Sequence, residues 1–217
     1  MLEGIPPAIR YVAVGDSLTV GKGASFLNPG FVERFAHKLG ETRSQLVTVH
    51  KFARVGATAE EILHLVQDPP IAYQLQNAEL VTLTSGGNDL IDAGKAFLHS
   101  RDLRVIYEAI QRATLSNQRL MTYIRNLQAA NFKFGDIWIL NMYNPFPSIP
   151  EADQWIRDYN FNLAMAAQSA KVRVADIYHA FLGRTPYLLS RDGVHPNDEG
   201  YAVMANVLFN SSLHVPI

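Results

Sequence analysis

The amino-acid sequence predicts an α/β fold in which a parallel β-sheet is covered by helices on both faces. Short runs rich in Val, Ile, Leu and aromatic residues recur along the chain, and longer segments with helical spacing of apolar residues lie between them. Because crossovers between parallel strands are right-handed and return to the same sheet, this alternation favours helices on both faces. A length of 217 residues suits one domain with a single sizeable core, and we expect residues 1–217 to form it.

Five segments have the composition of strands. Each is short and rich in apolar residues that favour extended backbone, and the first runs directly into a Gly-Asp-Ser sequence. The predicted strands are 10–15, 46–52, 80–85, 136–142 and 172–176.

Helical patterns fill the intervals between these strands. Phe31, Phe35 and Leu39 recur every four residues, and Thr58 with Glu61 fits a capping box in front of an apolar run. Longer patterns without a strand signal predict helices over 103–130, 153–169 and 197–209.

Composition and charge exclude several classes of function. The formal net charge is −1, so the chain has no overall attraction for nucleic acid or an anionic membrane surface. It contains no cysteine, which excludes disulfides, thiolate nucleophiles and metal sites built on Cys. The first ten residues do not have the pattern of a signal peptide and no apolar run approaches about 20 residues, so we expect a cytoplasmic protein without a transmembrane segment.

The first candidate for chemistry is a serine at the end of the first predicted strand. In parallel sheets, sites form at the carboxyl ends of the strands, and Gly15-Asp16-Ser17 delivers a hydroxyl to that edge. The alternative is that Asp16 or Ser17 only satisfies backbone donors of the turn.

A carboxylate and an imidazole three residues apart form the second candidate. A serine nucleophile needs a neutral imidazole to accept its proton, and that imidazole needs a carboxylate on its other nitrogen. Asp192 and His195 can supply both groups from one turn. An Asx-type turn with a surface histidine, or an Asp–His pair of metal ligands, are the alternatives.

The third candidate is a glycine-rich turn, residues 85–89, after the predicted strand 80–85. Gly86 and Gly87 permit close approach of backbone to a ligand, and Asn88 lies at the same rim. An asparagine amide can donate to the oxyanion of a tetrahedral intermediate, as can a backbone N–H in the turn around Gly56. Turn formation alone is the alternative for Asn88.

In this order the segments resemble the SGNH hydrolases, also called the GDSL family of esterases and lipases, and the resemblance spans nearly the whole chain. Residues 15–18 match the first block of that family, Gly56 the glycine of the second, 86–89 the Gly-x-Asn-Asp of the third and 192–195 the Asp-x-x-His of the fifth.

The resemblance implies a role for each matched residue. Ser17 would be the nucleophile, His195 the general base and Asp192 the carboxylate that orients it. The Ser17 N–H, the Gly56 N–H and the Asn88 side chain would form the oxyanion hole. The implied fold is a three-layer α/β/α, flavodoxin-like domain with five parallel strands, and no cofactor or metal is implied.

The segments around this site carry apolar side chains that could hold an acyl group. We expect loops over 91–103, 143–155 and 183–190, and the alternative for their apolar residues is packing within the domain. The candidates for the acyl wall are Phe97, Leu98, Phe146, Ile149, Tyr187, Leu188 and Leu189.

The sequence therefore predicts a serine esterase or lipase that hydrolyses acyl esters through an acyl-enzyme. Its partner would be a small acyl ester or a lipid, and the oligomeric state is left open. A carbohydrate O-acetylesterase, a thioesterase, transfer to another alcohol and a non-catalytic ligand-binding domain are the alternatives. A binding domain does not need a complete set of proton-transfer groups, so the full set favours a hydrolase.

Overall fold

A computed structural model of the protein describes residues 7–213. The expectation about a signal peptide depends partly on residues 1–6, which lie outside this range. The strands are β1 (Ile9–Gly15), β2 (Val47–Ala53), β3 (Leu80–Leu83), β4 (Asp136–Leu140) and β5 (Arg173–Ala175). The helices are α1 (Ser17–Val20), α2 (Phe31–Arg43), α3 (Ala59–Leu65), α4 (Pro69–Gln76), α5 (Gly87–Ser100), α6 (Arg104–Ala130), α7 (Pro150–Ser169), α8 (Ile177–Phe181), α9 (Thr185–Leu188) and α10 (Asp198–Ser212).

The five strands form one parallel sheet in the order β2-β1-β3-β4-β5, which is the flavodoxin-like order. The predicted fold class is confirmed. The chain order reverses between β1 and β3, so the carboxyl ends of these two strands flank the point where sites of such sheets form.

Each face of the sheet is buried under its own group of helices. Side chains alternate along β1, so that Val12 and Val14 face one core while Tyr11 and Ala13 face the other. The first core packs under helices α3 to α7, and the second packs under α2, α8, α9 and α10. Together these layers form the three-layer arrangement that the sequence predicts.

Most of the predicted elements are confirmed with small differences in their ends. The capping box of α3 is present: Glu61 N–H donates to Thr58 Oγ1 and Thr58 N–H donates to Glu61 Oε2. The third strand ends at Leu83, earlier than predicted, because the chain turns there toward the N-terminus of α5.

The prediction of a loop over 91–103 is wrong, because most of this segment belongs to α5. The helix forms because Leu90, Ala93 and Phe97 share one face and pack on the first core. The other two predicted loops, 143–155 and 183–190, are also partly helical, since α7 begins at Pro150 and α9 lies within 183–190. Among the described residues, no helix is long and apolar enough to cross a membrane.

Candidate active site

The turn from β1 into α1 fixes Ser17 at the carboxyl end of β1. Asp16 caps α1 by accepting the Leu18 N–H at 2.9 Å, and Thr84 Oγ1 donates to the same carboxylate at 2.8 Å. A Cβ on Gly15 would lie 2.2 Å from Thr84 Oγ1, so only glycine fits at this position. Asp16 therefore braces the turn, and Ser17 is held at the first position of a helix.

Asp16 is buried, and its environment opposes its charge. Burial raises the pKa of its carboxyl, and the hydrogen bonds from Leu18 and Thr84 offset only part of that effect. Its hydrogen bonds go to Leu18 and Thr84, so the carboxylate supports the shape of the turn.

His195 and Asp192 meet within one turn at the other side of the site. His195 Nδ1 lies 2.6 Å from Asp192 Oδ2. The second carboxylate oxygen, Oδ1, accepts the backbone N–H groups of Val194 and His195 at 2.9 Å each, and Ser190 Oγ donates to it at 3.0 Å. The carboxylate is thereby held in one orientation toward the imidazole.

These contacts favour the ionised form of Asp192. Partial burial acts to raise the pKa of the carboxyl, but the hydrogen bonds from His195, Val194 and Ser190 outweigh it and hold the pKa well below its usual range. Asp192 is therefore an anion throughout the neutral range, and its hydrogen bond selects the His195 tautomer that carries its proton on Nδ1.

The other nitrogen of His195 faces the serine. His195 Nε2 lies 2.8 Å from Ser17 Oγ, across 178 positions of sequence. With a proton on Nδ1, Nε2 is an acceptor, so Ser17 Oγ donates to it. The structure thus joins Asp192, His195 and Ser17 in one hydrogen-bonded chain, and the His195 side chain is only 13% exposed.

Three residues that sequence reasoning missed hold the histidine in place. Tyr143 OH donates to the Val194 carbonyl at 2.7 Å, from the segment after β4. A Cβ on Gly23 would lie 2.9 Å from His195 Cβ, so this glycine lets the α1–α2 loop pack against the histidine. Asn197 caps α10 and donates to the Leu189 carbonyl. No short-range pattern signals these contacts, since their partners are distant or are backbone carbonyls.

The glycine-rich turn after β3 carries Asn88 to the same edge. Gly86 has φ of +94°, and a Cβ there would lie 2.0 Å from the hydroxyl of Tyr159, so glycine is required twice over. Tyr159 OH donates to the Ser85 carbonyl and accepts from Asn117 Nδ2, each at 2.8 Å. This buried network fixes the conformation of the turn, and no sequence pattern predicted it.

Asn88 connects this turn to the loop that contains Gly56. Asn88 Nδ2 donates to the Ala57 carbonyl at 2.8 Å, and Asp89 Oδ2 accepts the Ala59 N–H at 2.9 Å. An asparagine amide has two N–H groups, so one remains for a ligand. Gly56 has φ of +82°, and no atom lies within 4 Å of the place of its missing Cβ. Asp89 thus braces the neighbouring loop.

Ser17, His195 and Asn88 open into one cavity of about 420 Å³. Its side walls come from α5 on one side and from the β4–α7 segment with α7 on the other. Of the predicted acyl wall, four residues line it: Phe97, Leu98, Phe146 and Ile149. The remaining three do not line it, which corrects the prediction: Leu188 is buried in the second core, Leu189 packs beside that core and Tyr187 is 80% exposed. Gly56 does not line it either, although Ala57 beside it is bound by Asn88.

Trp155 and Ile156 also line this cavity, and neither was among the predicted wall residues. Ile156 lies within the predicted helix 153–169, whereas Trp155 falls in both that helix and the predicted loop 143–155. Trp155 packs edge-on against Phe97 with ring centroids 5.1 Å apart, which joins the two walls. Within residues 7–213, no group of three or more His, Asp or Glu side chains is arranged to hold a metal ion.

Comparisons with known proteins agree with this geometry. The model of the GDSL-like lipase/acylhydrolase family matches residues 13–203. The spore germination lipase LipC of Bacillus licheniformis is 36% identical over 200 residues, which cover 92% of this chain and 94% of that protein. The crystal structure of the lipase Lip_vut3 from a goat rumen metagenome superimposes with a TM-score of 0.90 at 35% identity, covering 94% of this chain and 98% of that one. The acetylxylan esterase Axe2 of Geobacillus stearothermophilus shares the fold, with a TM-score of 0.70 at 16% identity over 95% of this chain and 94% of that one.

Proposed function

The chain belongs to the GDSL-like lipase/acylhydrolase family and is an ester hydrolase, and we propose that Ser17, His195 and Asp192 are its catalytic triad. The observation that carries the assignment is the continuous chain of hydrogen bonds from Asp192 through His195 to Ser17, which ends at an apolar cavity. A serine hydroxyl is a weak nucleophile until a base removes its proton, and this chain provides that base.

The first half of the reaction acylates Ser17. As Ser17 Oγ attacks the ester carbonyl, its proton moves to His195 Nε2, and Asp192 stabilises the imidazolium that forms. His195 then gives the proton to the oxygen of the leaving alcohol. In the second half, a water takes the place of the alcohol and attacks the acyl carbonyl while His195 removes one of its protons. His195 then returns that proton to Ser17 Oγ as the bond to the acyl group breaks, so the product leaves as a carboxylic acid and Ser17 is restored.

The oxyanion of each tetrahedral intermediate is held by the backbone N–H of Ser17 and by the amide of Asn88, which both line the cavity. Gly56, the third donor that the family resemblance implies, does not line it. As the first residue of α1, Ser17 has an N–H that no carbonyl of the helix can accept. The Asn88 amide is fixed through Ala57 and keeps its second N–H for the ligand. Donors that are fixed before the reaction stabilise the developing charge without reorganisation.

The substrate is a carboxylic ester with an apolar acyl group. The cavity beside Ser17 is lined mainly by aliphatic and aromatic side chains, which favours an acyl chain over a sugar. The similarity to the lipases LipC and Lip_vut3 also supports an ester with an apolar acyl chain as the substrate. An O-acetylesterase is the second candidate, because Axe2 shares the fold.

A panel of substrates tests this proposal. Wild-type protein and Ser17→Ala are compared on 4-nitrophenyl butyrate, a lysophospholipid and an acetylated xylo-oligosaccharide. We expect wild-type turnover of the first substrate and none by the variant, with unchanged circular dichroism. Turnover of the acetylated sugar alone would support the second candidate, and wild-type turnover that persists in Ser17→Ala would exclude this triad.

A further inference from the structure

The cavity beside Ser17 follows one face of α5 along the whole helix. Ile91 and Leu98 line it at helical spacing, starting from Asn88 next to the nucleophile, and Arg101, the residue that ends the helix, also lines it. At a rise of about 1.5 Å per residue, α5 carries Gly94 about 9 Å and Leu98 about 15 Å beyond Asn88. The cavity is therefore a long groove that begins at the catalytic groups.

Gly94 lies in the middle of this groove wall. It lines the cavity, and a Cβ built on it would meet no atom within 4 Å. A glycine inside a helix lowers stability relative to alanine, and neither a tight contact nor a positive φ requires one here. What the missing side chain does provide is open space in the groove.

The chemistry of the site decides which half of an ester enters the groove. The leaving oxygen must lie beside His195 Nε2 to receive its proton, while the carbonyl oxygen lies toward Asn88. The groove leaves the site along the helix that begins beside Asn88. This direction favours the acyl chain over the alcohol.

We propose that the groove along α5 binds the acyl chain of long-chain esters and that Gly94 is the residue that lets such chains pass. The proposal rests on the function proposed above and adds the class of substrate. An extended alkyl chain advances about 1.25 Å per carbon, given a C–C bond of about 1.5 Å and an angle of about 111°. Acyl chains of up to about seven carbons end before Gly94, and chains of about ten or more pass it.

The test fills the groove at Gly94 and varies the two halves of the substrate separately. Wild type and Gly94→Leu are assayed on 4-nitrophenyl butyrate, 4-nitrophenyl dodecanoate and dodecyl acetate. We expect kcat/KM of Gly94→Leu for the dodecanoate to fall by about ten-fold or more, because the new side chain occupies the path of the chain. For 4-nitrophenyl butyrate and dodecyl acetate, kcat/KM of Gly94→Leu should stay within about two-fold of the wild-type value, since neither substrate places a long acyl chain in the groove.

Two variants serve as matched controls. Ala96→Leu adds bulk to the same helix at an exposed position that does not line the groove. It should leave kcat/KM unchanged for all three substrates. Gly94→Ala should give an intermediate loss on the dodecanoate. Neither substitution at Gly94 should lower the thermal midpoint, because the site is open and glycine is the poorer helix former.

Each other outcome overturns the proposal in a recognisable way. A loss confined to dodecyl acetate would assign the groove to the alcohol. An equal loss on butyrate and dodecanoate would mean that Gly94 affects the catalytic groups and not the chain. Unchanged dodecanoate hydrolysis in Gly94→Leu, or a wild type that hydrolyses butyrate but not dodecanoate, would refute long-chain binding and leave the triad intact. A wild type that hydrolyses no ester would refute both proposals.

Discussion

Two segments of the chain hold an aspartate and a histidine three residues apart in nearly the same geometry. In both, histidine Nδ1 lies 2.6 Å from aspartate Oδ2: His195 with Asp192, and His179 with Asp176. In both, the backbone N–H of the histidine donates to the other carboxylate oxygen, at 2.9 Å and 3.2 Å respectively. Hydrogen bonds hold the pKa of both carboxyls below the usual range even though burial acts in the opposite direction.

What differs is the surroundings of the imidazole. The His195 side chain is 13% exposed and its Nε2 lies against Ser17 Oγ, whereas the His179 side chain, in the middle of α8, is 71% exposed. Asp176 is the N-cap of α8 and is bound by Asn141. The Asp-x-x-His pattern therefore describes a local turn, and a serine brought from a distant part of the chain makes one of the two turns a candidate for catalysis.

The largest expected difference between the two segments is in the histidines. His195→Ala should lower kcat for 4-nitrophenyl butyrate by about 10⁴-fold or more, because no other group takes the proton of Ser17. For His179→Ala, kcat should stay within about two-fold of the wild-type value, as expected of a surface substitution. Steady-state kinetics on both variants checks the prediction, and comparable losses would remove the distinction between the two turns.

A smaller difference is expected for the aspartates. Asp192→Asn should lower kcat by about 10²- to 10⁴-fold, since the amide no longer favours the productive tautomer or stabilises the imidazolium. Asp176→Asn should retain wild-type kcat, because asparagine caps a helix as well as aspartate does. The same kinetic assay applies, and a loss for Asp192→Asn equal to or greater than that of His195→Ala would assign Asp192 a further role.

The oxyanion hole has no counterpart at the surface pair. Asn88→Ala should lower kcat by about 10²- to 10³-fold while KM changes little, because the amide acts on charge present only in the transition state. The hydrogen bond to Ala57 is lost as well, so the thermal midpoint is measured alongside. Near-normal kcat per folded molecule would mean that Asn88 serves only to hold the loop.

The smallest effect is the contribution of Asp192 to stability as a function of pH. Its native pKa lies below its unfolded value, so its contribution is present above the unfolded pKa of about 3.9 and is lost as pH falls through the native value. The gap in unfolding free energy between wild type and Asp192→Asn should therefore narrow steadily below about pH 4. Urea titrations at several pH values measure it, and a gap that widens on acidification would contradict the assigned interaction.

The fold could be predicted from the sequence because the spacing of apolar residues in a strand or helix depends only on neighbouring residues in the chain. The alternating apolar runs predicted all five strands, and the capping box at Thr58 predicted the start of α3. Helix α5 was not predicted from the sequence, because glycines at 87 and 94 interrupt the helical spacing of its apolar residues. The helix forms nevertheless, because packing of its apolar face against the core overrides the low helix propensity of glycine.

The candidate site was predictable to the extent that its residues lie in recognisable segments. Ser17, His195 and Asp192 could be named in advance, and the structure joins them by hydrogen bonds. Tyr143 and Tyr159 could not be named, because each contributes one hydroxyl to a backbone carbonyl that is distant in sequence. Four of the seven residues predicted for the acyl wall line the cavity, and the others do not, since apolar residues such as Leu188 serve a core as readily as a pocket.

The central claim is that Ser17 is activated by His195, and covalent labelling tests it most directly. Wild-type protein is treated with a fluorophosphonate, and the modified residue and the rate of labelling are determined by mass spectrometry. We expect one label per molecule, on Ser17, at a rate that falls sharply in His195→Ala and is unchanged in His179→Ala. Labelling of a different serine, or of Ser17 at the same rate in His195→Ala, would contradict the account.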